Sequence, residues 1–130
     1  MTARKTIDDL LAQARHGIDR VTPAEAFEAM RVGAVLVDIR SQDERERQGV
    51  VSGAAHHPLS VVLWRLDPAQ EIGNPKLPLD TRVMLLCCHG FSSSLAAAQL
   101  RAIGFERATD VIGGAEAWIE AGLPVVRPAR

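Results

Sequence analysis

Cysteine is scarce in this chain: there are two among 130 residues, and Cys87 and Cys88 are adjacent. Neighbouring cysteines rarely reach bridging geometry, which excludes an ordinary disulfide framework and leaves at least one thiol free. An excess of one charge is also lacking. Fifteen Lys and Arg stand against sixteen Asp and Glu, for a formal net charge of -1, and the signs are mixed along the chain. Neither a nucleic-acid surface nor a polybasic membrane patch is suggested, so the expected ligand is small. No apolar run approaches the roughly eighteen residues of a membrane span. The start, Met1-Thr2-Ala3-Arg4-Lys5, leads into an acid-containing amphipathic stretch instead of a signal h-region. There is no internal repeat and no low-complexity tract. A cytoplasmic protein without membrane or nucleic-acid partners is expected. What the chain does have is a hydrophobic fraction of 47%, sufficient at this length for one domain with a core that needs no disulfide or metal.

Thr6-Ile7-Asp8-Asp9 has the form of a capping box, and Ile7, Leu10, Leu11 and Ala14 recur at helical spacing until Gly17. A second start signal, Thr22-Pro23-Ala24-Glu25, precedes Phe27 and Met30, and Gly33 closes that helix. Ala34-Val35-Leu36-Val37 is a continuous β-prone run that gives way to Asp38-Ile39-Arg40, the pattern of a buried parallel strand with polar residues at its carboxyl end. Residues 41–48 predict a short exposed helix, and 50–58 a bend into a short strand. The stretch from Asp67 to Asp80, with Pro68, Pro75 and Pro78, reads as irregular connection. Val83 to Leu86 predicts another strand, Leu95 to Ile103 a helix ended by Gly104, and Thr109 to Ile112 a strand. A Gly113-Gly114 turn and a helix around Ala115 to Ala121 follow. Strands alternating with helices indicate an α/β protein, a parallel sheet covered on both faces whose sites lie at the strands' carboxyl ends. Asp38, Arg40 and Cys87 fall there.

The stretch Val83-Met84-Leu85-Leu86-Cys87-Cys88-His89-Gly90-Phe91-Ser92-Ser93-Ser94 carries the chemistry. An apolar strand empties into a cysteine, then a loop of small residues, then a helix. A thiol so placed faces backbone N–H groups and the positive end of the helix, which together stabilise negative charge on sulfur.

Three features resemble rhodanese-type single-domain sulfurtransferases, over nearly everything from Thr22 to Val125. Leu36-Val37-Asp38-Ile39-Arg40, with Glu44, Gly49 and Gly53-Ala54, is similar to the family's Asp-x-Arg strand end, glutamate and Gly-Ala turn. Cys87-Cys88-His89-Gly90-Phe91-Ser92 resembles its six-residue active loop. Gly113-Gly114-Ala115-Glu116-Ala117-Trp118, with Gly122-Leu123-Pro124-Val125, resembles its closing signature. The resemblance implies a rhodanese-like fold with a central parallel sheet of about five strands and helices on both faces. It divides the chain into an N-terminal amphipathic helix extension, residues 1–18, and a rhodanese domain, residues 19–130. It also implies an enzyme of the thiosulfate sulfurtransferase type in which Cys87, not Cys88, is the nucleophile. That residue takes sulfur from a donor such as thiosulfate as a persulfide and passes it to cyanide or a cellular thiol, with no other cofactor. Cys88, His89, Gly90, Phe91, Ser92 and Ser93 are the expected substrate-binding residues, with Arg65 as a further contact for an anionic donor. Asp38 and Arg40 are expected to support the site by charge-assisted hydrogen bonds between loops. The partners are then a small donor and acceptor, and the chain a monomer or weak homodimer.

Departures from the family pattern stand at Ser92, where many loops end in Arg, at Val50-Val51-Ser52 in place of His-Ile-Pro, and at Arg45 in place of an aromatic. His56 and His57, with Cys87, Cys88 and His89, lack the spacing of a structural zinc site, so no metal is expected. Trp118 reads as packing, and Trp64 as either core or an overhang of the loop. Two rivals remain. A cysteine phosphatase or arsenate reductase needs Arg six residues after the cysteine, where this chain has Ser93. A non-catalytic binding or redox-sensing module would use Cys88 as a second thiol. The first helix is expected to cover the sheet or to mediate self-association.

Overall fold

The computed structural model describes residues 3–71 and 77–126. Both start signals form as read. In α1 (Ile7–Arg15) Thr6 Oγ1 accepts the Asp9 N–H at 3.1 Å, and the Asp9 carboxylate accepts the Thr6 N–H at 2.8 Å. The same reciprocal pair between Thr22 and Glu25 opens α2 (Pro23–Met30). A third capping box, between Ser41 and Glu44, opens α3 (Gln42–Gln48), which buries none of its residues.

The central sheet is built on β1 (Val35–Asp38) and β4 (Val83–Leu86), paired parallel with Val35 opposite Val83 and Asp38 opposite Leu86. β3 (Ala55–His56) lies outside β1, and β5 (Thr109–Asp110) lies outside β4, both parallel, in the order β3-β1-β4-β5. Four strands thus form the sheet expected to have about five. The next position, beyond β5, is filled by a single parallel bridge between Val21 and Val111. It stays one residue long because Thr22 and Pro23 begin α2 at once, and Pro23 has no N–H to donate to a ladder. β2 (Val50–Val51) and β6 (Val125–Val126) make a separate antiparallel pair.

Strand alternation sorts the core into two layers. Val37, Ile39, Val83, Leu85 and Cys87 face α4 (Val62–Leu66) and α5 (Ser92–Ala102), meeting Val62, Leu66, Ala96, Ala97 and Leu100. Leu36, Met84 and Leu86 face α2 and α6 (Gly114–Glu120), meeting Ala26, Ala115 and Trp118. Trp118 is completely buried, stands edge-on to Phe27 with ring centroids 6.0 Å apart, and donates its indole N–H to Pro124 O at 3.0 Å. It is the packing residue expected of it. Trp64 is not core: it is 59% exposed on α4.

The first helix packs chiefly against α5. Arg101 of α5 fixes it there, donating to Ala14 O at 2.6 Å and to Ala108 O at 2.9 Å. Two elements have no counterpart in the sequence reading: α4, a single turn inside a stretch without clear periodicity, and β6, whose partner β2 is 75 positions away. Residues 67–71 and 77–80 hold no helix or strand, in keeping with an irregular connection, while Pro75 and the rest of 72–76 lie outside the described residues.

Candidate active site

Strand parity decides where the two thiols go. Cys87 follows Val83 and Leu85 onto the α5 face, and Cys88 takes the other direction. The chain then turns through Gly90, whose φ is +86° and whose missing Cβ would lie 2.7 Å from Gly113 N, so a side chain there meets backbone that has no room to yield. That turn folds the loop back over the sulfur. Cys87 Sγ accepts the Gly90 N–H at 3.2 Å and the Ser93 N–H at 3.4 Å. The N-cap residue of α5, Phe91, offers no side-chain cap, and the sulfur takes that place at the positive end of an eleven-residue helix. The thiol proton points at Ser93 Oγ, 3.3 Å away, and the Ser93 hydroxyl donates to Asp110 Oδ2 at 2.7 Å.

Cys88 meets the opposite environment. Its thiol donates to Glu44 Oε2 at 2.9 Å, and Glu44 is fixed because its other oxygen closes the Ser41 cap. Burial, then the hydrogen bond to Glu44 and that residue's charge, push the Cys88 thiol up to about 12. The same hydrogen bond is the main reason the Glu44 carboxyl lies below the usual carboxylate range, with the Ser41 N–H next. Cys88 is therefore held as the neutral thiol at neutral pH, whatever Cys87 does.

The Gly113-Gly114 pair is more than a turn. It brings the amino end of α6 against the loop, where Ala115 N–H donates to Cys87 O at 2.8 Å and Glu116 N–H to Cys88 O at 3.2 Å. A Cβ on Gly114, at φ +60°, would collide with the Cys87 carbonyl oxygen.

A cavity of about 450 Å³ opens above the sulfur, lined by Cys87, Cys88, His89, Phe91 and Ser92 from the loop, by Ile39, Arg40, Ser41 and Glu44 from the end of β1 and the start of α3, and by Pro58, Leu59 and Ser60. Gly90 and Ser93 stand behind the sulfur instead of lining the cavity. His89 turns its ring out to Glu116, Nδ1 to Oε2 2.6 Å, with both side chains more than half exposed. Arg65 is not brought to the site: it is exposed on α4, outside the cavity lining. Asp38 and Arg40 form a completely buried bidentate pair, with Nε to Oδ1 at 3.0 Å and Nη2 to Oδ2 at 2.8 Å. Arg40 also reaches Gln48 Oε1 at 3.2 Å and Gly49 O at 3.0 Å, so its charge is spent on tying α3 and the turn after it to β1. His56 Nε2 lies 2.7 Å from Arg40 O.

The sequence reading missed what stands behind the loop. Asp110, at the carboxyl end of β5, is fully buried and receives Ser93 and Ser94. Arg20 donates to it twice, from Nε to Oδ1 at 2.9 Å and from Nη2 to Oδ2 at 3.1 Å. The rule that sites gather at strand carboxyl ends points to Asp110 as much as to Asp38, but nothing in the sequence joins it to Arg20, ninety residues earlier.

The comparisons with known proteins agree with this geometry. The model of the rhodanese-like domain matches residues 22–121. The thiosulfate sulfurtransferase GlpE of Haemophilus influenzae is 33% identical over 105 residues, covering 81% of this chain and 91% of that protein. A sulfurtransferase of Allochromatium vinosum is 33% identical over 94 residues, covering 72% and 79%. Among solved structures, a Rhodopseudomonas palustris protein of unknown function, described as a possible tyrosine phosphatase, superposes with a TM-score of 0.85 at 28% identity, covering 96% of this chain and 97% of that one. A match over 100 consecutive residues, a span that holds the strand end, the cysteine loop and the Gly-Gly helix start, means that the chain belongs to the rhodanese-like domain family.

Proposed function

We propose that this chain is a sulfurtransferase that carries a sulfane sulfur as a persulfide on Cys87. The observation that carries the reading is the Cys87 sulfur itself, accepting two main-chain N–H groups at the floor of an open cavity while the thiol of its neighbour donates to a carboxylate. The Cys87 thiolate attacks the outer sulfur of a donor such as thiosulfate. A new S–S bond forms to Cys87, the S–S bond of the donor breaks, and sulfite leaves with the electron pair. The enzyme is left with a Cys87 persulfide anion, which the Gly90 and Ser93 N–H groups and the start of α5 stabilise. The Ser93 hydroxyl can turn from Asp110 to the sulfur as charge builds, because Asp110 keeps three other donors, two from Arg20 and one from Ser94.

In the second half of the cycle a nucleophilic acceptor, cyanide or a cellular thiol, attacks the outer sulfur and Cys87 thiolate leaves. Electrons balance over the two displacements, so the cycle calls for no further cofactor. Sulfite is a good leaving group, so the displacement requires no general acid beside the sulfur. The cavity of about 450 Å³ suits a small donor. The sulfurtransferase names of the curated relatives support the class of reaction, and thiosulfate as donor rests on the name of the GlpE relative. We place the protein in the cytoplasm; among the described residues no helix is long and apolar enough to cross a membrane.

A phosphatase is a weaker reading. The residue six after Cys87 is Ser93, buried and bonded to Asp110, and among the described residues the one guanidinium at the cavity wall, that of Arg40, is already fully engaged. Among the described residues no cation is left there to clamp a tetrahedral oxyanion. Incubation with thiosulfate followed by intact-protein mass spectrometry is expected to show one added sulfur, localised to Cys87. No sulfur uptake from thiosulfate, a polysulfide or an alkyl persulfide would overturn the proposal in favour of a non-catalytic module.

A further inference from the structure

From Cys87 to Ser94 the loop contains no lysine or arginine. The segment ahead of the family match supplies two guanidinium groups instead, and both lie behind the loop. Arg15, the last residue of α1, donates from Nε to Ser94 Oγ at 3.0 Å and from Nη2 to the Gly90 carbonyl at 2.8 Å. Its guanidinium carbon also lies 5.8 Å from the centroid of the Phe91 ring. Arg20 donates from Nη2 to the same Gly90 carbonyl at 3.0 Å and forms the bidentate pair with Asp110. Among the described residues Arg20 is paired with a carboxylate and Arg15 is not.

The contacts converge on the two residues whose N–H groups touch the sulfur. Gly90, at φ +86°, has a backbone freedom that other residues lack, so the orientation of its peptide groups depends on what grips its carbonyl. Both guanidinium groups grip it. Ser93 is held through its hydroxyl by Asp110, which Arg20 holds in turn. The Arg101 bond to Ala14 O fixes the turn of α1 that ends in Arg15. Planar guanidinium groups suit this bidentate work better than an ammonium group does.

We propose that Arg15 and Arg20 are positioning residues for Cys87, fixing the Gly90 and Ser93 N–H groups on the sulfur and bringing to the loop the positive charge that its own sequence omits. For its effect on turnover the inference rests on the persulfide reading; for its effect on thiol reactivity it does not. The N-terminal segment is on this view part of the active site's framework, although the family model begins at Thr22.

The test is the rate of Cys87 alkylation by iodoacetamide at pH 7, read by peptide mass so that the two cysteines are counted separately. Arg15→Ala should lower that rate about tenfold, the scale of one charge-assisted hydrogen bond. Added guanidinium ion, well below denaturing concentration, should restore the variant while leaving the parent unchanged, and Arg15→Lys should fall in between. A merely structural role of α1 would lower the melting temperature and would be made worse, not better, by guanidinium. Arg20→Gln combined with Asp110→Asn, which removes both charges of the buried pair together, should also slow Cys87 alkylation, and it decides the question if Arg15→Ala does not fold. An alkylation rate within about twofold of the parent in these variants, or a loss in Arg15→Ala that guanidinium leaves uncorrected, overturns the proposal. Sulfite release from thiosulfate is followed in parallel. If alkylation falls as expected but the folded parent releases no sulfite and takes up no sulfur, the positioning role stands and the sulfurtransferase reading fails; the reverse pattern removes the positioning role alone.

Discussion

Cys87 and Cys88 are consecutive residues of one strand end, yet they have been given opposite chemical surroundings. Cys87 points to the α5 side and accepts N–H groups from Gly90 and Ser93; Cys88 points to α3 and donates to Glu44. Donors aimed at sulfur favour the anion, and an acceptor aimed at S–H favours the neutral thiol. The difference arises from the two-residue period of a strand together with what is packed on each side: a helix amino terminus on one, a carboxylate locked in a capping box on the other. Backbone direction thus assigns two identical, consecutive side chains to two different sets of hydrogen-bonding partners.

The largest expected effect comes from removing each sulfur in turn. Cys87→Ser should reduce thiosulfate-dependent sulfur uptake to background, since Cys88, the other thiol, stays protonated and cannot replace it. Cys88→Ser should keep uptake within about threefold of the parent, because the hydroxyl can still donate to Glu44. Intact-protein mass spectra of both variants after thiosulfate treatment make the measurement. The opposite ranking would reverse the assignment of the two thiols.

Gly114→Ala should blur the contrast, because α6 holds the carbonyls of both cysteines through Ala115 and Glu116. At φ +60° a non-glycine residue costs about 1–2 kcal/mol from the backbone alone, and the new Cβ also runs into the Cys87 carbonyl. A loss of at least about 2 kcal/mol in urea unfolding is expected, with slower alkylation of Cys87 in the fraction that folds. Stability equal to the parent would mean that α6 can retreat without cost, and that the Gly-Gly start is not what fixes the loop.

How much of this was legible in the sequence follows from how far apart the partners are. Asp38 and Arg40 sit two residues apart at a strand end, so the two partners of that pair lie within one local segment. The capping boxes at Thr6 and Thr22 are local in the same way. Asp110 and Arg20 make an equivalent pair at the end of β5 but are ninety residues apart, and α1 docks on α5 through contacts that no local pattern encodes. The short elements α4, β5 and β6 depend on the sheet and on their neighbours for their existence, which is why one was missed just ahead of the irregular connection, one was expected to be longer, and one was unseen. The choice of Cys87 came from the resemblance to the loop of a known family. Its physical reason, alternation along Val83, Leu85 and Cys87, was present in the sequence as well.

The smallest effect is the one that separates the two causes acting on Cys88. Its thiol stands at about 12 against an ordinary value near 9, with burial the first cause and the hydrogen bond and charge of Glu44 the next two. Glu44→Gln removes the charge and keeps a capping residue that α3 accepts, so the fold should persist. The raised value means that Cys88 favours the folded state fully below pH 9, where it is protonated in both states, and that this contribution is lost as pH rises from about 9 to about 12. In Glu44→Gln that window should narrow from its upper end. With Cys87→Ser as background, so that one thiol remains, iodoacetamide labelling of Cys88 at alkaline pH should rise by about tenfold, the equivalent of one unit. An unchanged labelling rate would place the whole effect in burial, and the carboxylate would then be a consequence of where Cys88 points, with no part in keeping its thiol protonated.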